Sequence, residues 1–159
     1  MNEIIIEKAS IENAEEILSL QKIAYVSEAK IIDDFTIPPL HQTLEEIQSE
    51  FRHQIFLKVE LNDAIIGSVR TCLEGKTCYI GKLIVHPKNQ NTGIGKKLLH
   101  AAEKQFPDAE RYELFTGQKS KRNLYIYEKN GYQIFKNIKI SEKLSMVFLE
   151  KINSIKQLH

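Results

Sequence analysis

Hydrophobic and polar positions alternate at the start of the chain and then give way to a helical spacing. The alternation predicts a first strand from Glu3 to Lys8, and the spacing that follows predicts a helix from Ser10 to about Glu28. Two prolines then interrupt the pattern. The run Thr-Leu-Glu-Glu that starts at Thr43 has the form of a capping box, so we expect a second helix from Thr43 to about His53.

Three apolar stretches separated by turn-forming residues predict a block of strands in the middle of the chain. They are Ile55–Glu60, Ala64–Leu73 and Thr77–Val85. Pro87 ends the third strand, because proline cannot donate a hydrogen bond to a strand ladder.

From Gly93 the apolar residues recur with helical spacing until Pro107, which predicts a third helix. The remaining predicted elements are a strand at Arg111–Thr116, a helix at Ser120–Asn130 that Gly131 ends, and strands at Gln133–Asn137 and Lys143–Glu150. The order β-α-α-β-β-β-α-β-α-β-β predicts a mixed α/β (α+β) domain.

The chain has 159 residues, which is the size of one domain, and we place that domain at residues 1–152 with a frayed tail at 153–159. A formal charge of +1 argues against a dedicated nucleic-acid-binding protein. No apolar run reaches the ~20 residues of a membrane helix, and the first residues resemble no targeting signal, so we expect a cytoplasmic protein without a membrane partner.

Cys72 and Cys78 flank a predicted turn and could face each other across a hairpin. In a reducing compartment two such thiols are more often small apolar side chains than a disulfide or a metal site. The sequence also shows no cluster of His, Cys and Asp with zinc spacing, so we expect no metal.

The segment from Leu83 to Leu99 carries the most specific signal. An apolar strand stops at a proline, polar residues follow, and two glycines, Gly93 and Gly95, precede an amphipathic helix. The first N–H groups of a helix have no internal partner and attract anions, so this segment suits a phosphate group. It lacks the Walker pattern, and Leu98 stands where a dinucleotide fingerprint needs glycine or alanine. The alternative is that the glycines only shape a tight turn.

Taken whole, the segment resembles the coenzyme A-binding motif of the GNAT superfamily of N-acetyltransferases. The matching residues are Gln90, Gly93 and Gly95, in the pattern Gln-x-x-Gly-x-Gly, and Tyr127 and Gly131, followed by an aromatic residue, match a second family element. The resemblance implies a mostly antiparallel sheet of six to seven strands flanked by about four helices. It also implies transfer of the acetyl group of acetyl-CoA directly to a primary amine in a ternary complex.

The resemblance assigns roles to individual residues. Leu83 N–H would bind the acetyl carbonyl, Val85 would hold the pantetheine amides, and Tyr127 would be the general acid that protonates the leaving thiolate. The residues that it places around the coenzyme are Leu83, Ile84, Val85, Gln90, Asn91, Thr92, Gly93, Ile94, Gly95, Lys96 and Asn123.

Two positions depart from the family pattern. Ser120 stands where many members carry Asn, so either Ser120 or Asn123 could contact the coenzyme. Tyr79 stands where some members carry a catalytic Glu, which leaves the general base open. The candidates are Tyr79, Glu28, His41 and His53.

The acceptor site should form from residues 25–40 and the closing strands, and the acceptor would be a small-molecule or peptide amine. Carboxylates at Glu28, Asp33, Asp34, Glu45 and Glu46 would favour a cationic amine such as a polyamine if they faced a cleft. The alternative is that they form a solvated helix face.

The apolar side chains of Leu144, Met146 and Phe148 alternate in the last strand, which fits either a homodimer interface or a buried core face. The alternative to an enzyme is a non-catalytic acyl-CoA-binding regulatory module, because the strand Glu is absent and Ser120 replaces Asn.

Overall fold

The structure, a computed structural model, describes residues 4–154, and within them seven strands form one sheet that is flanked by four α-helices. The strands are β1 (Ile6–Lys8), β2 (Ile55–Leu61), β3 (Ala64–Glu74), β4 (Thr77–Val85), β5 (Arg111–Gly117), β6 (Gln133–Lys139) and β7 (Ser145–Ile152). The helices are α1 (Ala14–Ile32), α2 (Leu44–Glu50), α3 (Ile94–Lys104) and α4 (Lys121–Lys129). The predicted fold class and element order are confirmed; Glu3, the predicted start of β1, lies outside the described residues.

The sheet has the strand order β1-β2-β3-β4-β5-β7-β6, and only the β4–β5 pair is parallel. These two strands pair over three residues, from Thr77 with Arg111 to Tyr79 with Glu113, and then separate. Since each strand continues well beyond its last paired residue, a wedge opens between the far ends of β4 and β5.

A β-bulge in β4 lies beside this wedge. Ser68 of β3 pairs with Ile84 and Arg70 pairs with Gly81, so the register skips Lys82 and Leu83. Lys82 has a φ of 50°, in the left-handed region. A bulge of this kind bends its strand and redirects the groups that it releases from the ladder.

Side chains alternate between the two faces of the sheet and form a hydrophobic core on each. On one face Phe56 and Ile84 pack with α1 and α2, and on the other Leu57 and Val59 pack with α3. Helix α3 is thereby fixed on the strands that precede it, and its first turn is held next to the wedge.

We expect Leu98→Ala to lower the free energy of unfolding by about 2–5 kcal/mol, because Leu98 is fully buried in the α3 core and its truncation leaves a cavity. Thermal or denaturant unfolding measures the change. Lys97→Ala, one residue earlier on the exposed face of α3, is the matched control and should change stability by less than about 0.5 kcal/mol. Equal losses in the two variants would contradict the assigned packing.

Both N-terminal helices depart from their predicted ends. Helix α1 continues to Ile32 instead of ending near Glu28, and Asp33 ends it in the left-handed conformation, with a φ of 53°. Helix α2 begins with the predicted Thr43 capping box but ends at Glu50, and only turns follow as far as His53. The longer α1 places Glu28 inside the helix, where its side chain has a fixed direction.

The expectation that Cys72 and Cys78 could face each other was wrong. In the β3–β4 hairpin Cys72 pairs with Tyr79, and Cys78 pairs with Leu73, so the two thiols lie on opposite faces of the sheet. Both cysteines are free, as expected. Cys78 is buried beside the Thr71 hydroxyl, and burial raises the pKa of its thiol to about 11.

The frayed tail was predicted to begin at residue 153, but this residue is part of the packed fold. Asn153 is buried, and its side-chain amide donates hydrogen bonds to the carbonyls of Pro107 and Ala109, at 2.9 and 2.7 Å. Residues 155–159 of that tail lie outside the described residues.

Candidate functional site

Two adjoining cavities lie along β4. The first, the α3 cavity, has a volume of about 400 Å³ and lies over the glycine loop and the start of α3. The second, the central cavity, has a volume of about 290 Å³ and extends into the wedge between β4 and β5, beneath α1.

The two cavities meet at residues from three elements. Tyr25 and Glu28 of α1, Leu83 of β4 and Asn123 of α4 line both of them. Leu83 is one of the two residues that the β-bulge leaves outside the β3–β4 register. The junction therefore brings together a carboxylate, a phenol and the bulged segment of β4.

The loop that forms the α3 cavity owes its shape to two left-handed residues. Asn91 has a φ of 62° and Gly93 a φ of 86°, and Gly93 occupies the position just before α3. Gln90 supports the loop by donating from Nε2 to the Val85 carbonyl at 3.2 Å. The first backbone N–H groups of α3 have no helical partner and lie at the cavity wall, which makes this wall suited to an anion.

Most of the residues that the sequence assigned to coenzyme binding line the α3 cavity. They are Leu83, Ile84, Val85, Gln90, Asn91, Gly93, Gly95, Lys96 and Asn123. Two do not line it. Ile94 is buried in the core beneath the helix, and the hydroxyl of Thr92 donates to the Asn89 carbonyl at 2.5 Å.

Tyr127 lines the central cavity from α4 and is 4% exposed. Burial raises the pKa of its phenol, and the neighbouring Tyr25 and Glu28 raise it further. Burial also raises the pKa of Tyr25, to about 12. Both phenols are therefore protonated at neutral pH and can donate a hydrogen bond or a proton.

Ser120 and Asn123 separate into different roles. Ser120 is buried, and its hydroxyl donates to Glu28 Oε1 at 2.9 Å, which ties α4 to α1 across the central cavity. Asn123 donates to Thr116 Oγ1 at 3.3 Å and lines both cavities, whereas Ser120 lines the central one alone. Asn123 is thus the better placed of the two to contact a ligand in the α3 cavity.

The candidates for a general base differ in whether they line a cavity. Glu28 lies at the junction, and Tyr79 lines the central cavity. His41 and His53 are exposed and line neither cavity, and His41 Nε2 lies 2.8 Å from the Phe35 carbonyl oxygen.

Arg70 is a site residue that the sequence reasoning missed. It is 2% exposed, pairs with Glu50 at 3.0 Å, donates to Gln21 Oε1 at 2.6 Å and lies over the ring of Phe56. Its only sequence signal is a single Arg within an apolar strand. Its partners come from α1 and α2, which no local pattern connects to β3.

The acidic residues of the N-terminal helices do not form an acidic cleft. Asp34 accepts hydrogen bonds from Thr36, and Glu46 caps α2. Of the five carboxylates considered, Glu28 alone lines a described cavity, and the other four, Asp33, Asp34, Glu45 and Glu46, are exposed or partly exposed elsewhere. The solvated-face interpretation therefore holds for these four.

The alternating apolar face of β7 contributes to the central cavity. Leu144, the residue before β7, and Met146 of β7 line it, and the ring of Phe148 packs against the rings of Phe115 and Phe135. Two of these three side chains thus shape the site from the closing strand and the residue before it.

Across residues 4–154 no group of three or more His, Cys, Asp or Glu side chains is arranged to hold a metal ion. In the same part of the chain, no helix is both long enough and apolar enough to span a membrane.

The sequence of this chain is similar to a known domain family and to a protein of another organism. Residues 52–134 match the model of an acetyltransferase (GNAT) domain. The protein UPF0157 YqkA of Bacillus subtilis (strain 168) is 30% identical over 131 residues, which cover 82% of this chain, and this chain spans 38% of the length of that relative.

Solved structures of similar fold contain the coenzyme. The PaiA N-acetyltransferase of Thermoplasma acidophilum, in complex with coenzyme A, superposes with a TM-score of 0.79 at 18% identity, covering 95% of this chain and 99% of the other. YncA of Salmonella typhimurium, solved with acetyl-CoA, superposes with a TM-score of 0.73 at 14% identity, covering 96% and 95% of the two chains. At such identities the likeness shows a shared fold.

Proposed function

Because this chain belongs to the GNAT acetyltransferase family, we propose that it moves the acetyl group of acetyl-CoA to a primary amine of a small molecule or peptide. The transfer would be direct, within a complex of enzyme, acetyl-CoA and amine. The observation that carries the proposal is the junction of the two cavities at Tyr25, Glu28, Leu83 and Asn123.

The α3 cavity would hold the coenzyme. Its pyrophosphate would accept hydrogen bonds from the free N–H groups at the start of α3, around Gly93 and Gly95, with the Lys96 ammonium nearby. The pantetheine arm would follow β4 past Val85 into the wedge, which no strand within residues 4–154 fills at that end. The thioester would then lie at Leu83, and the amine would approach from the central cavity.

The reaction forms a C–N bond and breaks the C–S bond of the thioester. The amine attacks the acetyl carbonyl, whose oxygen becomes negatively charged, and Leu83 N–H, in the bulge at the cavity junction, would stabilise that charge. Collapse of the intermediate expels coenzyme A as a thiolate. Tyr127, which burial keeps protonated, would supply the proton.

Glu28 would receive the proton that the amine loses. It is the carboxylate at the cavity junction, and the Ser120 hydroxyl fixes one of its oxygens at 2.9 Å. A fixed carboxylate there can bind an ammonium group, accept its proton and pass that proton to water. This role replaces that of the strand Glu, for which the chain has Tyr79.

We expect Glu28→Gln to lower kcat/KM for the amine about tenfold or more and to leave the Kd of acetyl-CoA within about twofold, because the amide keeps the shape but cannot accept a proton. Coenzyme A release and calorimetric titration measure the two quantities. Glu15→Gln, an exposed position of the same helix, is the control and should leave both unchanged. Equal rates for the Glu28 variant and the wild type would remove Glu28 from this role.

A further inference from the structure

The central cavity contains three carboxylates, and two of them are already paired. Glu50 pairs with Arg70 at 3.0 Å, and Glu113 pairs with Arg111 at 2.9 Å. Glu28 accepts a hydrogen bond from a neutral hydroxyl and, within residues 4–154, has no cationic partner. One negative charge therefore faces the cavity unneutralised, at the end next to the α3 cavity.

Of the two lysines that line this cavity without an ion pair to any described residue, Lys82 is partly buried and Lys119 is exposed. Lys82 lies at the β-bulge beside Leu83 and makes no side-chain hydrogen bond or ion pair with the part of the chain that the structure describes. The charged groups that face it are Arg70, which repels it, and Glu50, which is already paired with Arg70. Burial lowers the pKa of Lys82, and Arg70 lowers it further, so an anion bound there would stabilise the charged form.

Glu28 and Lys82 line the same cavity, together with Tyr25 of α1 and Arg70 of β3. The remaining cavity wall is mainly apolar. It includes Ile37, Pro38, Leu144 and Met146.

We propose that the acceptor is a zwitterionic amine of the amino-acid type, with its ammonium group at Glu28, its carboxylate at Lys82 and an apolar side chain against the cavity wall. This inference rests on the proposed function, since it names the class of amine. A free amino acid with an apolar side chain has one positive and one negative group, which match Glu28 and the partly buried Lys82. A polyamine would bring several cations to one free carboxylate and to Lys82, and charge repulsion disfavours it.

The test compares each of the twenty amino acids with its carboxamide, and with spermidine, as acceptors for enzyme saturated with acetyl-CoA. We expect at least one apolar amino acid to have a kcat/KM at least tenfold above that of its carboxamide. The amine of the carboxamide is less basic than that of the free amino acid, so a larger fraction of it is unprotonated at neutral pH. Intrinsic reactivity therefore opposes this preference. A preference for the acid therefore reports recognition of the carboxylate.

Variants of Lys82 test whether the carboxylate of the acceptor binds at this residue. We expect Lys82→Met to raise KM for the preferred amino acid about 10- to 100-fold, the usual effect of a charge-assisted hydrogen bond, with kcat and the KM of acetyl-CoA nearly unchanged. The rate with the carboxamide should change less than threefold, which separates recognition from damage to the fold. Lys82→Arg should retain most of the preference. Lys119→Met removes the exposed lysine of the same cavity and should retain it fully.

Several outcomes would overturn the assignment. If carboxamides or spermidine are acetylated and amino acids are not, the acetyltransferase function stands and this acceptor class is wrong. If Lys82→Met keeps the preference, or Lys119→Met loses it, the carboxylate site is not at Lys82. If no amine releases coenzyme A from enzyme that binds acetyl-CoA, the proposed function itself fails, and this inference fails with it.

Discussion

Tyr127→Phe is expected to lower kcat at least about 100-fold while the Kd of acetyl-CoA stays within about twofold. The substitution removes one hydroxyl from a buried ring and keeps the packing of that ring against Tyr132, whose centroid lies 6.1 Å away. The leaving thiolate then lacks its proton donor, and positioned acids contribute about 10²–10⁴-fold to such steps. Coenzyme A release under single-turnover conditions measures the change.

The raised pKa of Tyr127 also fixes the direction of its pH dependence. A general acid acts while it is protonated, and its contribution to the rate is lost as pH rises through its pKa. Because burial raises that pKa above its usual range, Tyr127 should cause no loss of activity between pH 7 and 9.

Tyr112→Phe, at a buried tyrosine of β5 outside both cavities, is the control for Tyr127→Phe. Similar rates for the two variants would show that Tyr127 is a packing residue.

Gly95→Glu is expected to weaken acetyl-CoA binding at least about 100-fold. Gly95 lines the α3 cavity in the first turn of α3, where the proposed pyrophosphate site lies. A carboxylate there would compete for the same N–H groups and repel the phosphates, and such like-charge contacts weaken binding by several kcal/mol. Calorimetric titration with acetyl-CoA measures the loss.

Gly95→Ala is the matched control for that variant. A Cβ at this position would lie 3.5 Å from the Ile126 side chain, an ordinary contact, so the methyl group fits without displacing the helix. We expect it to bind acetyl-CoA within a few-fold of the wild type. If Gly95→Glu binds equally well, the phosphates do not lie at the start of α3. If both variants unfold, Lys96→Glu replaces them in the test, because it places a carboxylate at the next residue, on an exposed side chain.

The sequence predicted best those elements whose limits depend on local chemistry. Strand β4 ends before Pro87, and α3 begins after Gly93, whose φ of 86° suits a residue without a Cβ. The end of α1 was harder to predict. Asp33 ends that helix by adopting a left-handed conformation that aspartate tolerates but does not require, so its sequence carries no clear stop signal.

The site was predictable only where it coincides with a motif. The glycine loop and Tyr127 belong to contiguous patterns, but the contact between Ser120 and Glu28 joins residues 92 positions apart. Likewise, the isolated charge of Lys82 depends on Arg70 and Glu50, which the fold brings beside it from other elements. Contacts of this kind arise from tertiary packing, and a single sequence holds no record of them.

The thermal midpoint of the protein with acetyl-CoA, compared with ATP and NAD, tests the central claim most directly. A ligand at about one hundred times its Kd stabilises the native state by about 2.7 kcal/mol. For a chain of this size we therefore predict a rise of about 5–11 °C with acetyl-CoA and little change with ATP or NAD. No rise with acetyl-CoA, or an equal rise with all three, would contradict a coenzyme site at the glycine loop and the acetyl transfer that depends on it.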